Sequence, residues 1–169
     1  RRDGRAPFGG FDRGIAVKAL ELVHLSERHD LMRPAAALMI ENWPEWYGPF
    51  GPGNALADLG ARSQLSGLPW GVLAVLDDTV VGTVAMAGES HGAVDGEDKW
   101  LVGLVVRKVL RKQGIGGLLV EAVEQKARTE GLGNIHATTK SASSLFVRRG
   151  WQSIRDLADG HGVFRFSPT

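Results

Sequence analysis

A chain of 169 residues, 43% of them hydrophobic, is long enough for one sizeable core without metal or disulfide staples. The absence of cysteine excludes disulfides, zinc–thiolate sites and thiol nucleophiles together, and a formal charge of +1 argues against a dedicated nucleic-acid binder. The five histidines show no H-E-x-x-H or paired spacing, so no bound metal is expected, and no apolar run reaches membrane-spanning length.

Residues 1–13 read as a disordered leader or an added remnant ahead of one domain over residues 14–169, and with no signal peptide visible a cytoplasmic location is expected. The first predicted strand runs from Gly14 to Leu22, with Ile15, Val17 and Ala19 alternating inward against Lys18 and Glu21. Leu31, Ala35, Leu38 and Met39 have helical spacing between Asp30 and Asn42, and Pro44 opposes continuation. After the Gly/Pro-rich loop 48–53, Asn54 can cap a second helix that ends near Gly67. Trp70 to Leu76 and Thr79 to Ala87 form a hairpin through Asp77 and Asp78. A polar, mobile loop is expected over residues 88–98.

Trp100 to Val106 then reads as a strand, and Gly114 to Glu130 as a helix closed by Gly131. That helix is predicted to bury Ile115, Leu118, Leu119, Ala122 and Val123 and to expose Glu121, Glu124, Gln125 and Arg128. Ile135 to Thr138 is a strand, Ser141 to Arg149 a helix, and Trp151 to Arg155 with Gly162 to Phe166 a terminal strand pair. The sum is a single-domain mixed α/β fold.

The stretch VVRKVLRKQGIGGLL, from Val105 to Leu119, carries the chemistry. The first N–H groups of a helix lack intrahelical partners and sit at the positive end of its dipole, so an anion satisfies both. Gly114, Gly116 and Gly117 let a ligand approach the backbone, and Arg107, Lys108, Arg111 and Lys112 surround the turn with positive charge. Neither a Walker loop nor G-x-G-x-x-G is spelled here, because Leu119 occupies the position of the third glycine.

The spelling R-x-x-G-x-G, with Arg111, Gly114 and Gly116 in place, resembles the acetyl-CoA pyrophosphate motif of the GNAT superfamily of N-acyltransferases. Leu104 and Val106 resemble the end of that family's fourth strand, and SLFVRRGW, Ser144 to Trp151, resembles its helix-and-turn motif. The resemblance implies a mostly antiparallel sheet flanked by helices and acetyl-CoA as acyl donor. It places the cofactor on Leu104, Val106, Arg111, Lys112, Gln113, Gly114, Ile115, Gly116, Gly117, Thr139 and Phe146. In that arrangement the Val106 amide favours negative charge developing on the acetyl oxygen.

The acceptor amine must be neutral to attack, which calls for a base or for a site that lowers its pKa; for the base Glu97 is favoured, with Asp98 beside it and His91 and Glu89 behind. Phe146 stands where many family members carry a tyrosine that protonates the departing thiolate, so Ser143, one turn earlier, is the alternative donor. The resemblance implies that the region of Trp43, Trp46, Tyr47 and Phe50 forms a lid over the acceptor, expected to be a small-molecule or peptide amine, in a monomer or homodimer. Two other readings remain: an acyl-CoA-binding module without turnover, and a phosphate cradle for another nucleotide.

Overall fold

Two adjacent aspartates shape the first hairpin: Asp77 and Asp78 both hold positive φ, 49° and 60°, the backbone twist that matches two antiparallel strands across a two-residue turn. They join β2 (Trp70–Leu76) to β3 (Thr79–Ala87). The computed structural model describes residues 19–169. The proposed leader, Ile15 and Val17 lie outside the described residues; Ala19, expected inward, is exposed, and the first described strand, β1, spans Leu20–His24.

The remaining α-helices and strands are α1 (Met32–Asn42), α2 (Pro44–Tyr47), α3 (Ala55–Ala61), β4 (Trp100–Val106), α4 (Ile115–Glu130), β5 (Ile135–Thr139), α5 (Ser143–Arg148), β6 (Gln152–Asp156) and β7 (Gly162–Phe166). Pro44 does stop α1, but it also starts the extra turn α2, because its fixed φ and missing N–H suit a first helical position. Asn54 caps α3 by accepting from the Ala57 amide at 3.0 Å, and α3 ends six residues before Gly67. Gly131 terminates α4 in the left-handed region at φ 61°.

The seven strands of the described residues lie in the order β1-β2-β3-β4-β5-β7-β6, antiparallel throughout except between β4 and β5. On one face Leu119, Val120, Val123 and Ala127 of α4 pack with Val84, Met86, Ile135, Phe146 and Trp151. On the other, Ala35, Leu38 and Met39 of α1 and Leu59 of α3 cover Leu73, Val75, Val80 and Val105. Each fully buried leucine or valine contributes about 1.5–3 kcal/mol, so these two layers hold the helices on the sheet.

Glu124 corrects the predicted exposed face of α4. Its carboxylate is buried, accepting from Arg149 Nε and Nη2 at 2.9 and 2.7 Å and from Trp151 Nε1 at 2.8 Å. A buried charge is tolerated when paired and hydrogen-bonded, and this one ties α4 to the residues that follow α5. Glu124→Ala should therefore destabilise the protein by about 3 kcal/mol in urea unfolding, by stranding the Trp151 donor and the Arg149 charge. Glu124→Gln should cost less, since it keeps a carbonyl acceptor.

Candidate functional site

The parallel strands β4 and β5 pair only at Trp100 with His136 and Leu101 with Ala137, and then part. β4 continues along β3 alone, through a register shift at which Gly103 and Leu104 oppose the single residue Val84. Gly103 takes φ 62° at this bulge. Main-chain groups on the β5 side of β4 beyond Leu101 are thus left without a strand partner.

Where the strands part lies a cavity of about 610 Å³, floored by Leu104 and Val106 and closed by the start of α4 and by Ser141, Ala142, Ser144 and Leu145. Its volume falls in the range of about 300–1,000 Å³ usual for ligand pockets. Gly114 opens α4 at φ 90°, and among the described residues no side chain caps the helix and no acidic residue occupies its first turn. The leading amides therefore face the cavity with a positive dipole end and no partner. Arg111, Lys112 and Arg148 add three cations to the lining. A Cβ on Gly116 would sit 3.3 Å from Leu145 Cδ2 and 3.8 Å from Val106 Cγ2, so the narrow part of the cleft runs over this glycine.

Of the residues the sequence nominated, Leu104, Val106, Arg111, Lys112, Gly114, Ile115, Gly116 and Gly117 line this one cavity. Gln113, Thr139, Ser143 and Phe146 are not among its lining residues. The Thr139 hydroxyl accepts from the Ala142 amide at 2.9 Å and shapes the entry to α5. Phe146 is core, with ring centroids 4.8 Å from Trp151 and 5.7 Å from Phe164. Ser144, rather than Ser143, presents to the cavity, and Asn42, Ser141 and Arg148 join it unforeseen. Arg111 could be placed from its motif, but its reach could not: its Nη2 donates to Asn42 Oδ1 at 2.7 Å and its Nε to the Val106 carbonyl at 3.0 Å.

Glu97 and Asp98 lie at the other end of β4. Leu104 is four residues beyond Trp100, about 13 Å along a strand, so neither carboxylate is near the cavity floor. Glu97 accepts two hydrogen bonds from Arg155, at 3.0 and 2.7 Å, and one from the Val94 amide at 3.2 Å. The Arg155 guanidinium holds its carboxyl below the usual range, which makes it a poor proton acceptor and a good tether. Asp98 is exposed and bound to Lys99. The loop expected to be mobile is in fact tied down: Arg155 Nη2 also donates to the Gly92 carbonyl at 2.8 Å, and Thr138 Oγ1 to the His91 carbonyl at 2.6 Å.

On the face of the sheet covered by α1 and α3, a buried arginine escaped sequence reading. Arg62 is 8% exposed and passes over Gly71; its Nη1 lies 3.1 Å from where a Cβ on Gly103 would be. That nitrogen has no hydrogen-bond partner among the described residues. Tyr47 donates to Asp58 at 2.6 Å, and burial, followed by that bond, pushes the Tyr47 hydroxyl up to about 12, so it stays protonated. Of the expected aromatic lid, Trp43 lines the cavity while Trp46 and Phe50 are exposed on the surface. Among the described residues no helix is long and apolar enough to cross a membrane.

The family model described as the acetyltransferase (GNAT) family matches residues 35–151. No curated protein matches the chain. Among solved structures, the aminoglycoside 6'-N-acetyltransferase from Enterococcus faecium superposes with a TM-score of 0.69 at 18% identity, covering 88% of this chain and 97% of that one. An aminoglycoside 6'-N-acetyltransferase complexed with coenzyme A gives 0.70 at 18% identity over 88% and 97%. The PaiA N-acetyltransferase from Thermoplasma acidophilum, also with coenzyme A, gives 0.60 at 13% over 88% and 98%. At these identities the likeness establishes the shared fold.

Because the folded-state pKa of Glu97 is depressed, its contribution to stability is present above the usual carboxylate range and is lost as pH falls through the folded value. Thermal unfolding from pH 7 down to pH 3 should show that acid limb in the parent protein and a shallower one in Glu97→Gln. Identical limbs would mean the Arg155 pair adds no stability.

Proposed function

Because the chain belongs to the acetyltransferase (GNAT) family, we propose that it moves an acetyl group from acetyl-CoA directly to a primary amine, with donor and acceptor bound together. One observation carries this reading: an unpaired strand edge and an uncapped, acid-free helix start open into the same cation-lined cavity. The residues present fit the donor. The amides of Ile115, Gly116 and Gly117, with Arg111, Lys112 and Arg148, suit a diphosphate, and the side-chain-free surface of Gly116 suits a slender arm passing between Val106 and Leu145. Acetyl-CoA supplies the activated acyl group and a thiolate that leaves tolerably, a thiol pKa being about 8.5.

The chain's own contribution is positional and electrostatic. The free edge of β4 supplies main-chain N–H groups where negative charge develops on the acyl oxygen, a role that needs no side chain. With no cysteine available for a thiol acyl-enzyme, direct transfer is the simpler route. Phe146 has no proton to give, and the hydroxyl-bearing residues that line the cavity are Ser141 and Ser144.

For the acceptor, Arg62 rather than Glu97 is the charged group beside the bulge, although it does not itself line the cavity. A buried guanidinium beside the bulge disfavours an incoming ammonium and so favours the neutral amine. Its unsatisfied Nη1 calls for an oxygen, and a carboxylate serves best. The proposed acceptor is therefore an amine that also carries a carboxylate, such as an amino acid or a peptide end.

Two measurements test this reading. Thiol release from acetyl-CoA across a panel of amines should be fastest with carboxylate-bearing acceptors, and Arg62→Met should raise KM for those acceptors by about 10–100-fold while changing kcat less. Equal rates for amines with and without a carboxylate would remove Arg62 from recognition; coenzyme binding without release to any amine would leave a binding module. Separately, Gly116→Val should weaken coenzyme A binding at least about tenfold in calorimetry, with the fold retained by circular dichroism. Unchanged affinity would refute the cradle.

A further inference from the structure

Two loops far apart in sequence converge on three side chains that do not line the cavity. His91 comes from the loop between β3 and β4, and Asp159 and His161 from the turn between β6 and β7. One Asp159 oxygen lies 2.6 Å from His91 Nε2 and the other 2.9 Å from His161 Nδ1. The three potential ligand atoms all lie within 4.8 Å of one another, and the two imidazoles meet edge to face at 5.2 Å.

We propose that His91, Asp159 and His161 form a binding site for a divalent first-row transition-metal ion, zinc being the best match. Two imidazoles and one carboxylate are the donor set zinc takes when a fourth position is left open. A tetrahedral ion with bonds of about 2.0–2.1 Å needs ligand atoms about 3.4 Å apart, within reach of small side-chain rotations. The side chains are 59%, 45% and 33% exposed, so an ion has a path in and the fourth position faces solvent.

The frame behind the ligands is already fixed. Thr138 Oγ1 holds the His91 carbonyl, and Arg155 holds the next carbonyl, that of Gly92. Gly92 has φ 82°, and a Cβ there would meet Leu157 Cδ1 at 2.6 Å, so the loop is pressed onto the opposing turn. That turn is closed by Leu157 donating to the His161 carbonyl at 2.8 Å and Gly160 to the Leu157 carbonyl at 3.1 Å. Arg155, the nearby cation, is itself neutralised by Glu97. The histidines and Asp159 are thus presented to each other by main-chain constraints rather than brought together by a chance surface contact, as a pre-formed metal site requires.

Position gives the ion a use. Ile135 and Ala137 face the α4 core, so Thr138 faces the opposite side of the sheet, and Thr139 pairs with Gly162 beside His161. Because Leu101 pairs with Ala137, the site stands level with Val102 and Gly103, across the gap where β4 and β5 part. An ion there would clamp loop 88–99 to the β6–β7 turn along the side of the sheet that bears Arg62. The inference rests on this cluster alone and does not depend on the acetyl-transfer reading.

The test uses tag-free protein stripped with a chelator and then titrated with zinc or cobalt(II) chloride. Calorimetry should give one site per chain. Cobalt should develop visible bands of a low-symmetry four- or five-coordinate complex, and zinc should raise the melting temperature. His91→Ala and Asp159→Asn should each weaken zinc binding at least about tenfold, while His29→Ala, a change at an exposed histidine elsewhere, leaves it intact. All three ligands are surface side chains, and circular dichroism of the variants confirms that the comparison is between folded proteins. No heat with millimolar zinc, or the same affinity and stoichiometry in the His91→Ala/His161→Ala double variant, would overturn the proposal.

Discussion

The separation of β4 from β5 is the constraint from which the site follows. A parallel pair that holds for two rungs and then opens leaves main-chain donors and acceptors without strand partners, and each such group costs about 1–3 kcal/mol if buried without a replacement. The fold keeps the edge accessible rather than buried. The bulge at Gly103 and Leu104 lets β4 bend while keeping its bonds to β3, and the glycines at the start of α4 keep side chains out of the opening. A polar groove lined by main chain is the result, and its chemistry is independent of which apolar side chains lie beneath it.

Charge is arranged around that groove with the same economy. The uncapped start of α4 carries a positive partial charge, and Arg111, Lys112 and Arg148 add to it with no acidic residue in the first turn. Such a site is under mutual repulsion until an anion arrives. Arg111 is meanwhile occupied, bridging the Val106 carbonyl and Asn42, and so links the end of β4 to the end of α1. This side chain joins the two halves of the chain beside the cavity.

How far this was legible in the sequence depended on whether a feature is local. The hairpin at Asp77 and Asp78, the strand Trp100–Val106, the cap at Asn54 and the stop at Gly131 are set by neighbouring residues, and their reading agrees with the structure. So does the glycine turn before α4, because its chemistry is in the backbone. Glu124, Glu97 and Arg62 could not be read in this way. Their partners lie 25, 58 and 41 residues away, at Arg149, Arg155 and Gly103, and no periodicity announces them. The exposed face predicted for α4 fails at Glu124 because a charged residue is outward by default only when nothing pairs it inside. The histidines looked scattered for the same reason: 68 residues separate His91 from Asp159, and only folding brings them together.

Phe146 shows how the core sets the site's dimensions. Its ring stacks on Phe164 and meets Trp151 edge to face, and Trp151 is in turn held by Glu124, which also grips Arg149 just past the end of α5. These contacts fix α5 against α4, and α5 carries Leu145, whose methyl groups define the far wall over Gly116 and Gly117. A tyrosine at position 146 would need to place its hydroxyl within this apolar stack or displace the helix, and an unpartnered buried hydroxyl is costly. Phenylalanine fills this stack without a polar atom and so keeps the cleft at its width. Width governs access to the strand edge on which the proposed chemistry takes place, whereas a thiolate can leave without a dedicated acid.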